Sequence, residues 1–129
     1  MAGEFKKILI IDDEADICVF SKKILERTGK FQATVTQNSA DGINIARSDK
    51  PDIILLDINM PRLEGDEVAH VLSASPLTSS IPIVFITSLL HKAEPDQDKT
   101  SNRYFFLPKP ISPNEMIDRI EEILGMKTF

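Results

Sequence analysis

Four places in this chain carry side chains suited to phosphate or metal chemistry, and each sits at the end of a short apolar run. Asp12-Asp13 follows Ile8-Leu9-Ile10-Ile11, and Asp57 follows Ile53-Ile54-Leu55-Leu56. Thr87-Ser88 follows Ile83-Val84-Phe85-Ile86, and Lys109-Pro110 comes just after Tyr104-Phe105-Phe106-Leu107. If these ends meet, three carboxylates share one place. Two unit charges about 4 Å apart then repel by on the order of 4 kcal/mol at an effective dielectric of about 20. Such a cluster needs protons, cations or both. Carboxylates, backbone carbonyls and water suit a hard divalent ion, and Mg²⁺ keeps several waters and often pairs with phosphate. A nearby lysine can pair with a carboxylate, or with an anion that the metal brings in.

The elements that must position these residues are legible as pattern. Continuous isoleucine-rich runs are expected of strands buried on both faces. Residues 8–11, 53–56 and 83–86 are the strongest, with weaker candidates at 33–36 and 104–107. Helical spacing lies between them. In 14–28, Ile17, Phe20, Ile24 and Leu25 recur on one face, and Gly29 follows as a stop. Segment 39–48 aligns Ala40, Ile43 and Ala46, and segment 64–74 aligns Val68, Val71 and Leu72. Ser112-Pro113-Asn114-Glu115 reads as a helix start with proline at the first position. Ile117, Ile120, Ile123 and Leu124 then form a stripe that ends at Gly125. Segment 89–103 contains Pro95 and few large apolar residues, and predicts a short, irregular or mobile helix.

Strands alternating with helices of about a dozen residues predict βαβ units and a parallel sheet. Right-handed crossovers place helices on both faces. Ligands on such sheets bind outside the carboxyl ends of the strands, which is where all four places fall.

Length and composition bound the alternatives. The chain has 129 residues, the size of one domain, with an expected core over about 7–124. Hydrophobic residues make up 42% and charged residues 27%, enough apolar content to bury a core. The formal net charge of −5 is opposite to that of a nonspecific nucleic-acid binder. One cysteine, Cys18, excludes an intrachain disulfide and a cysteine-rich zinc site, and helix packing is its simplest role. His70 and His91 are too far apart in sequence for a metal motif, and His70 reads as a helix-surface residue. No apolar run approaches the roughly 20 residues of a membrane span, and the first residues hold no secretory core. A cytoplasmic location is expected.

Taken singly, each site residue has an ordinary explanation. Asp12 and Asp13 could cap a helix, Asp57 could be a turn residue, and Lys109 a surface charge. All of them together, each at the end of a run, are hard to explain that way. The blocks Ile10-Ile11-Asp12-Asp13-Glu14, Pro51-Asp52 through Asp57-Ile58-Asn59-Met60-Pro61 with Gly65, Ile86-Thr87-Ser88 and Leu107-Pro108-Lys109-Pro110 resemble the receiver domains of two-component response regulators. The resemblance runs from about Lys7 to Leu124.

It implies a flavodoxin-like α/β fold in three layers, with a five-stranded parallel sheet of order 2-1-3-4-5 flanked by five helices; the chemotaxis receiver is an established example of that order. It implies that Asp57 accepts a phosphoryl group from a phosphohistidine, with Mg²⁺ held by Asp13, Asp57 and the backbone carbonyl of Asn59, and by Asp12 mainly through water. Lys109 would pair with the phosphoryl oxygens, Thr87 would donate its hydroxyl to them, and the Lys109–Pro110 peptide would be cis. Thr87 and Phe106 would form the conformational switch; relatives often carry Tyr at the latter position, and Phe has no hydroxyl to donate. Pro108 is tolerable if its strand is a sheet edge. The implied partners are a sensor histidine kinase or histidine phosphotransferase upstream and a downstream protein or fused output domain, with no direct nucleic-acid or membrane contact.

Three rivals share parts of this pattern. A haloacid-dehalogenase-type phosphatase wants a second Asp two residues after the nucleophile, where this chain has Asn59. A phosphate-independent pseudo-receiver would not need the intact acid cluster with Thr87 and Lys109. A flavin binder would need a Ser/Thr/Gly-rich first loop, which is absent.

Overall fold

The computed structural model describes residues 5–58, 65–87 and 104–126. In chain order the elements are β1 (Lys6–Ile11), α1 (Ala15–Arg27), β2 (Phe31–Thr36), α2 (Ser39–Asp49), β3 (Ile53–Asp57), α3 (Gly65–Ala74), β4 (Ile83–Thr87), β5 (Tyr104–Pro108) and α4 (Pro113–Ile123). All strand pairs are parallel, and the order is β2-β1-β3-β4-β5. The five strands and their order agree with expectation. Four helices stand among the described residues; the fifth was expected in 89–103, which lies outside them.

The continuous apolar runs have a simple cause. Side chains alternate across a strand, so a strand covered on both faces needs apolar residues at every position. In β1, Ile8 and Ile10 join one core cluster with Leu25 of α1 and with Met116 and Ile120 of α4. Leu9 and Ile11 join the other, with Ile43 and Ala46 of α2 and Val68 and Leu72 of α3. The sheet is thus the middle of three layers. β2 starts at Phe31, earlier than the run 33–36 indicated, because the Phe31 ring is buried and anchors the strand's first residue.

Local chemistry ends the helices as expected. Thr28 closes α1, and Gly29 follows at φ +77, the left-handed backbone that glycine adopts without strain. The Ser112 hydroxyl accepts from the Glu115 N–H at the start of α4. Asn38 caps α2 in the same way, its side-chain oxygen accepting from the Asp41 N–H at 2.9 Å.

Both sheet edges are managed. β5 ends on Pro108, which lacks an N–H to offer a further strand. At β2, the outward N–H of Ala33 donates to the Glu26 carboxylate at 3.0 Å, and its carbonyl accepts from the Lys22 ammonium at 2.7 Å. One turn of α1 therefore fills the place of a missing strand. The Ala33 hydrogen bond, with that of Lys22, holds the Glu26 carboxyl below its usual range.

One glycine is needed for close approach. A Cβ on Gly42 of α2 would lie 2.5 Å from Cδ1 and 2.8 Å from Cγ1 of Ile11, the residue just before Asp12. Overpacking a filled core costs about 1–3 kcal/mol, and the better helix propensity of alanine returns roughly 1 kcal/mol. The 2.5 Å approach puts the overpacking cost in the upper part of that range, so Gly42→Ala is expected to destabilise the fold by about 1–2 kcal/mol net. Urea denaturation checks this, and an unchanged or raised midpoint would contradict it.

Candidate functional site

The carboxyl ends of β1, β3, β4 and β5 meet along one edge of the sheet. β1 and β3 are neighbours in register Ile11 with Leu56, so the residues that follow, Asp12 and Asp57, come side by side. One carboxylate oxygen each from Asp12, Asp13 and Asp57 lies within 4.8 Å of the others. Asp12 and Asp57 are buried and Asp13 is half-buried. On the far side, β5 delivers Lys109. Its backbone N–H donates to the Thr87 carbonyl at 2.8 Å, tying the lysine to the end of β4. The Lys109–Pro110 peptide is cis, as expected. The ammonium Nζ stands 3.2 Å from Glu14 Oε1, 3.5 Å from Asp12 Oδ2 and 3.8 Å from Asp57 Oδ2.

The electrostatics follow from this crowding. Burial pushes the Asp12 carboxyl above its usual value, helped by the charges of Glu14 and Asp13; the Glu14 backbone N–H and Lys109 pull the other way and lose. Burial alone would lower the Lys109 pKa, but the carboxylates around it, Asp12 foremost, raise it. Cys18, buried in α1, donates its thiol to the Asp12 carbonyl at 3.3 Å. Burial and then the Asp12 charge push that thiol up to about 11, so it stays protonated and serves as packing.

A divalent cation fits this donor set. Asp12 Oδ1 accepts the Glu14 N–H at 2.9 Å, whereas Asp12 Oδ2 is buried and accepts no hydrogen bond. A buried carboxylate oxygen with no hydrogen bond, paired among the described residues only with the Lys109 ammonium at 3.5 Å and set among three acids that are all hard oxygen donors, matches what Mg²⁺ or a similar ion takes. Without such an ion the ionised Asp12 weakens the fold. A carboxyl whose pKa is higher folded than unfolded binds protons on folding, so its penalty is full at neutral pH and is relieved as pH falls through the raised value. Asp12→Asn is therefore expected to stabilise the metal-free protein at pH 7 by about 0.5–2 kcal/mol, with the gain shrinking on acidification. Thermal melts in chelator at several pH values check this; a lower melting point for the variant at pH 7 would contradict it.

A model of the response regulator receiver domain matches residues 8–121. The chain belongs to that family. Receiver domains are the phosphoacceptor modules of two-component signalling, and that is the function of this chain. Among relatives, this receiver domain is 30% identical over 119 residues to protein PilH of Pseudomonas aeruginosa, covering 92% of this chain and 98% of PilH. Its fold matches the chemotaxis protein CheY4 of Vibrio cholerae with a TM-score of 0.84 at 20% identity, covering 93% of this chain and 99% of that one. It also matches the receiver domain of the sensor histidine kinase PA1611 from Pseudomonas aeruginosa, whose structure holds a magnesium ion in the active-site cleft (TM-score 0.82, 19% identity, 95% and 99% covered).

Of the expected site residues, the receiver domain brings Asp12, Asp13, Asp57 and Lys109 together, with Thr87 at the adjoining end of β4. Phe106 lies on β5, 39% exposed and stacked on Phe85 with ring centroids 5.4 Å apart. Asn59, Ser88 and segment 89–103 lie outside the described residues. His70 is exposed on α3, as expected. Sequence alone assigns Glu14 no role, although among the carboxylates it makes the shortest contact with Lys109. The only signal was a third acid directly after Asp12-Asp13. No helix among the described residues is long and apolar enough to cross a membrane.

Proposed function

We propose that Asp57 is the phosphoacceptor of this receiver domain and that Asp12, Asp13 and Asp57 hold Mg²⁺, with the backbone carbonyl of Asn59 as a further ligand. The observation that carries this reading is the placement of the buried Asp57 carboxylate between two acids and one ammonium. An Asp57 oxygen attacks the phosphorus of a phosphohistidine, the P–N bond breaks, and the electron pair leaves with the imidazole, giving an aspartyl phosphate. Asp12, Asp13 and Asp57 would hold Mg²⁺ where it would neutralise charge on the transferring group. Lys109 meets the phosphoryl oxygens from the opposite side, where an ammonium stabilises developing charge. Thr87 donates its hydroxyl to a phosphoryl oxygen, and Phe106 responds by changing its position against Phe85.

The chain acts as one unit over about 7–124, phosphorylating and dephosphorylating itself rather than turning over external substrates. Its donor is a sensor histidine kinase or histidine phosphotransferase, and its output is a downstream protein or a fused output domain. It works in the cytoplasm without binding nucleic acid, in keeping with its net charge of −5.

Incubation with acetyl phosphate and Mg²⁺ tests the reading. Intact mass at neutral pH is expected to show one phosphate adduct, absent when Mg²⁺ is chelated. No adduct with either acetyl phosphate or a phosphorylated histidine donor would overturn it. With beryllofluoride as a phosphate mimic, chemical shifts of Thr87 and Phe106 are expected to move; unchanged shifts at saturation would remove both from the switch.

A further inference from the structure

Three carboxylates face the Lys109 ammonium, and they differ in one respect. The Asp12 and Asp57 side chains are buried, at 0% and 5% exposure, whereas Glu14 is 57% exposed. Yet Glu14 has the shortest contact, and it receives a hydrogen bond from Lys109 Nζ at 3.2 Å. Its position sharpens the point. Glu14 is the N-cap residue of α1, and its side chain makes no cap hydrogen bond to that helix. The carboxylate of a residue placed to cap its own helix reaches across to the end of β5 instead.

An ammonium has three donors and no acceptor, and it follows the strongest set of oxygens within reach of its flexible stem. Before phosphorylation that set includes Glu14, which holds the ammonium at 3.2 Å while Asp57 stands 3.8 Å away. A phosphoryl group on Asp57 places new anionic oxygens beside the ammonium. Glu14, solvated and free to swing out, is the partner that can be given up; the buried acids cannot leave.

We propose that Glu14 is a positioning residue for phosphoryl transfer: it holds the Lys109 ammonium at the mouth of the site until phosphoryl oxygens displace it, and so slows phosphorylation of Asp57 by small anionic donors. The inference rests on Asp57 being the phosphoacceptor. Glu14 takes part in no bond change. With acetyl phosphate, the Asp57 oxygen forms the new bond to phosphorus, the phosphorus–oxygen bond to acetate breaks, and acetate leaves with the electron pair.

The test compares initial phosphorylation rates of the wild-type chain, Glu14→Gln, Lys109→Ala and the double variant, at saturating Mg²⁺ and subsaturating acetyl phosphate. An exposed ion pair limits the effect, so Glu14→Gln is expected to react about 2–5-fold faster. The gain should vanish when Lys109 is already alanine, because the two residues act through one contact. A Glu14→Gln rate equal to or below wild type, with the wild-type chain phosphorylated on Asp57, would overturn the inference while leaving Asp57 in its role. A gain of the same size in the Lys109→Ala background would also overturn it, since the effect would then be the loss of a negative charge alone. A wild-type chain that takes up no phosphate would remove the parent reading and this one with it.

Discussion

Asp57→Asn is expected to abolish the phosphate adduct. An amide cannot attack phosphorus to give an acyl phosphate, and the nearest other acids are less suited. Asp12 is buried with one oxygen engaged by the Glu14 N–H, and Asp13 sits half-exposed at the rim. The loss should be complete within detection, with the fold kept, because Asn matches the shape of Asp and relieves repulsion in the cluster. Intact mass after treatment with acetyl phosphate and Mg²⁺ reads the outcome. An adduct of undiminished yield in the variant would move the acceptor elsewhere.

Lys109→Ala has the second-largest expected effect, and it acts on two quantities. Removing one charge-stabilising donor from a preorganised site costs about 10²–10³ in rate, and phosphorylation by acetyl phosphate should slow by that factor. Stability should fall as well. Lys109, only 14% exposed, is the cation beside two buried carboxylates, and its loss leaves them facing each other. Breaking one partner from a buried pair costs 3–5 kcal/mol, and the open mouth of this site puts the expectation near the lower end, about 3 kcal/mol. Because its pKa is raised on folding, the lysine's contribution is complete at neutral pH and is lost only as pH rises through that raised value. Mg²⁺ should restore part of the lost stability by supplying positive charge to the same acids. Lys109→Arg should recover stability more than rate, since a planar guanidinium does not reproduce an ammonium's placement. Urea denaturation with and without Mg²⁺, alongside rates, checks this. A Lys109→Ala protein as stable as wild type in chelator would contradict the electrostatic account.

Much of the site was legible because the physics that makes it is local in sequence. A strand covered on both faces must be apolar at every position, so the first polar residue after each run lies at the carboxyl edge of the sheet. Asp12, Asp13, Asp57 and Thr87 are those residues, and the proline-flanked Lys109 follows the last run in the same way. The same logic explains the slip at β2. Its first residues, Phe31 and Gln32, alternate buried and exposed at a sheet edge, so the strand does not begin as a continuous run. Helix ends were legible where a residue carries the needed backbone or hydroxyl, as at Gly29 and Ser112.

What only the tertiary structure decided are the distances between groups far apart in the chain. The strand order sets Asp12 against Asp57, and no local pattern holds that order; it came with the family resemblance. The partner of Lys109 was equally hidden. Glu14 is 95 residues away, and whether it caps α1 or crosses to β5 depends on where packing leaves the ammonium. The raised pKa of Asp12 likewise follows from burial, which a composition cannot state for one side chain. Nothing local in the sequence explains a glycine at position 42 of α2, and only the approach of that helix to Ile11 gives it a reason. Sequence periodicity carries the contacts of each element with its own neighbours. Which charges end up within 4 Å of one another is set by how the layers close, and that is a property of the packed sheet.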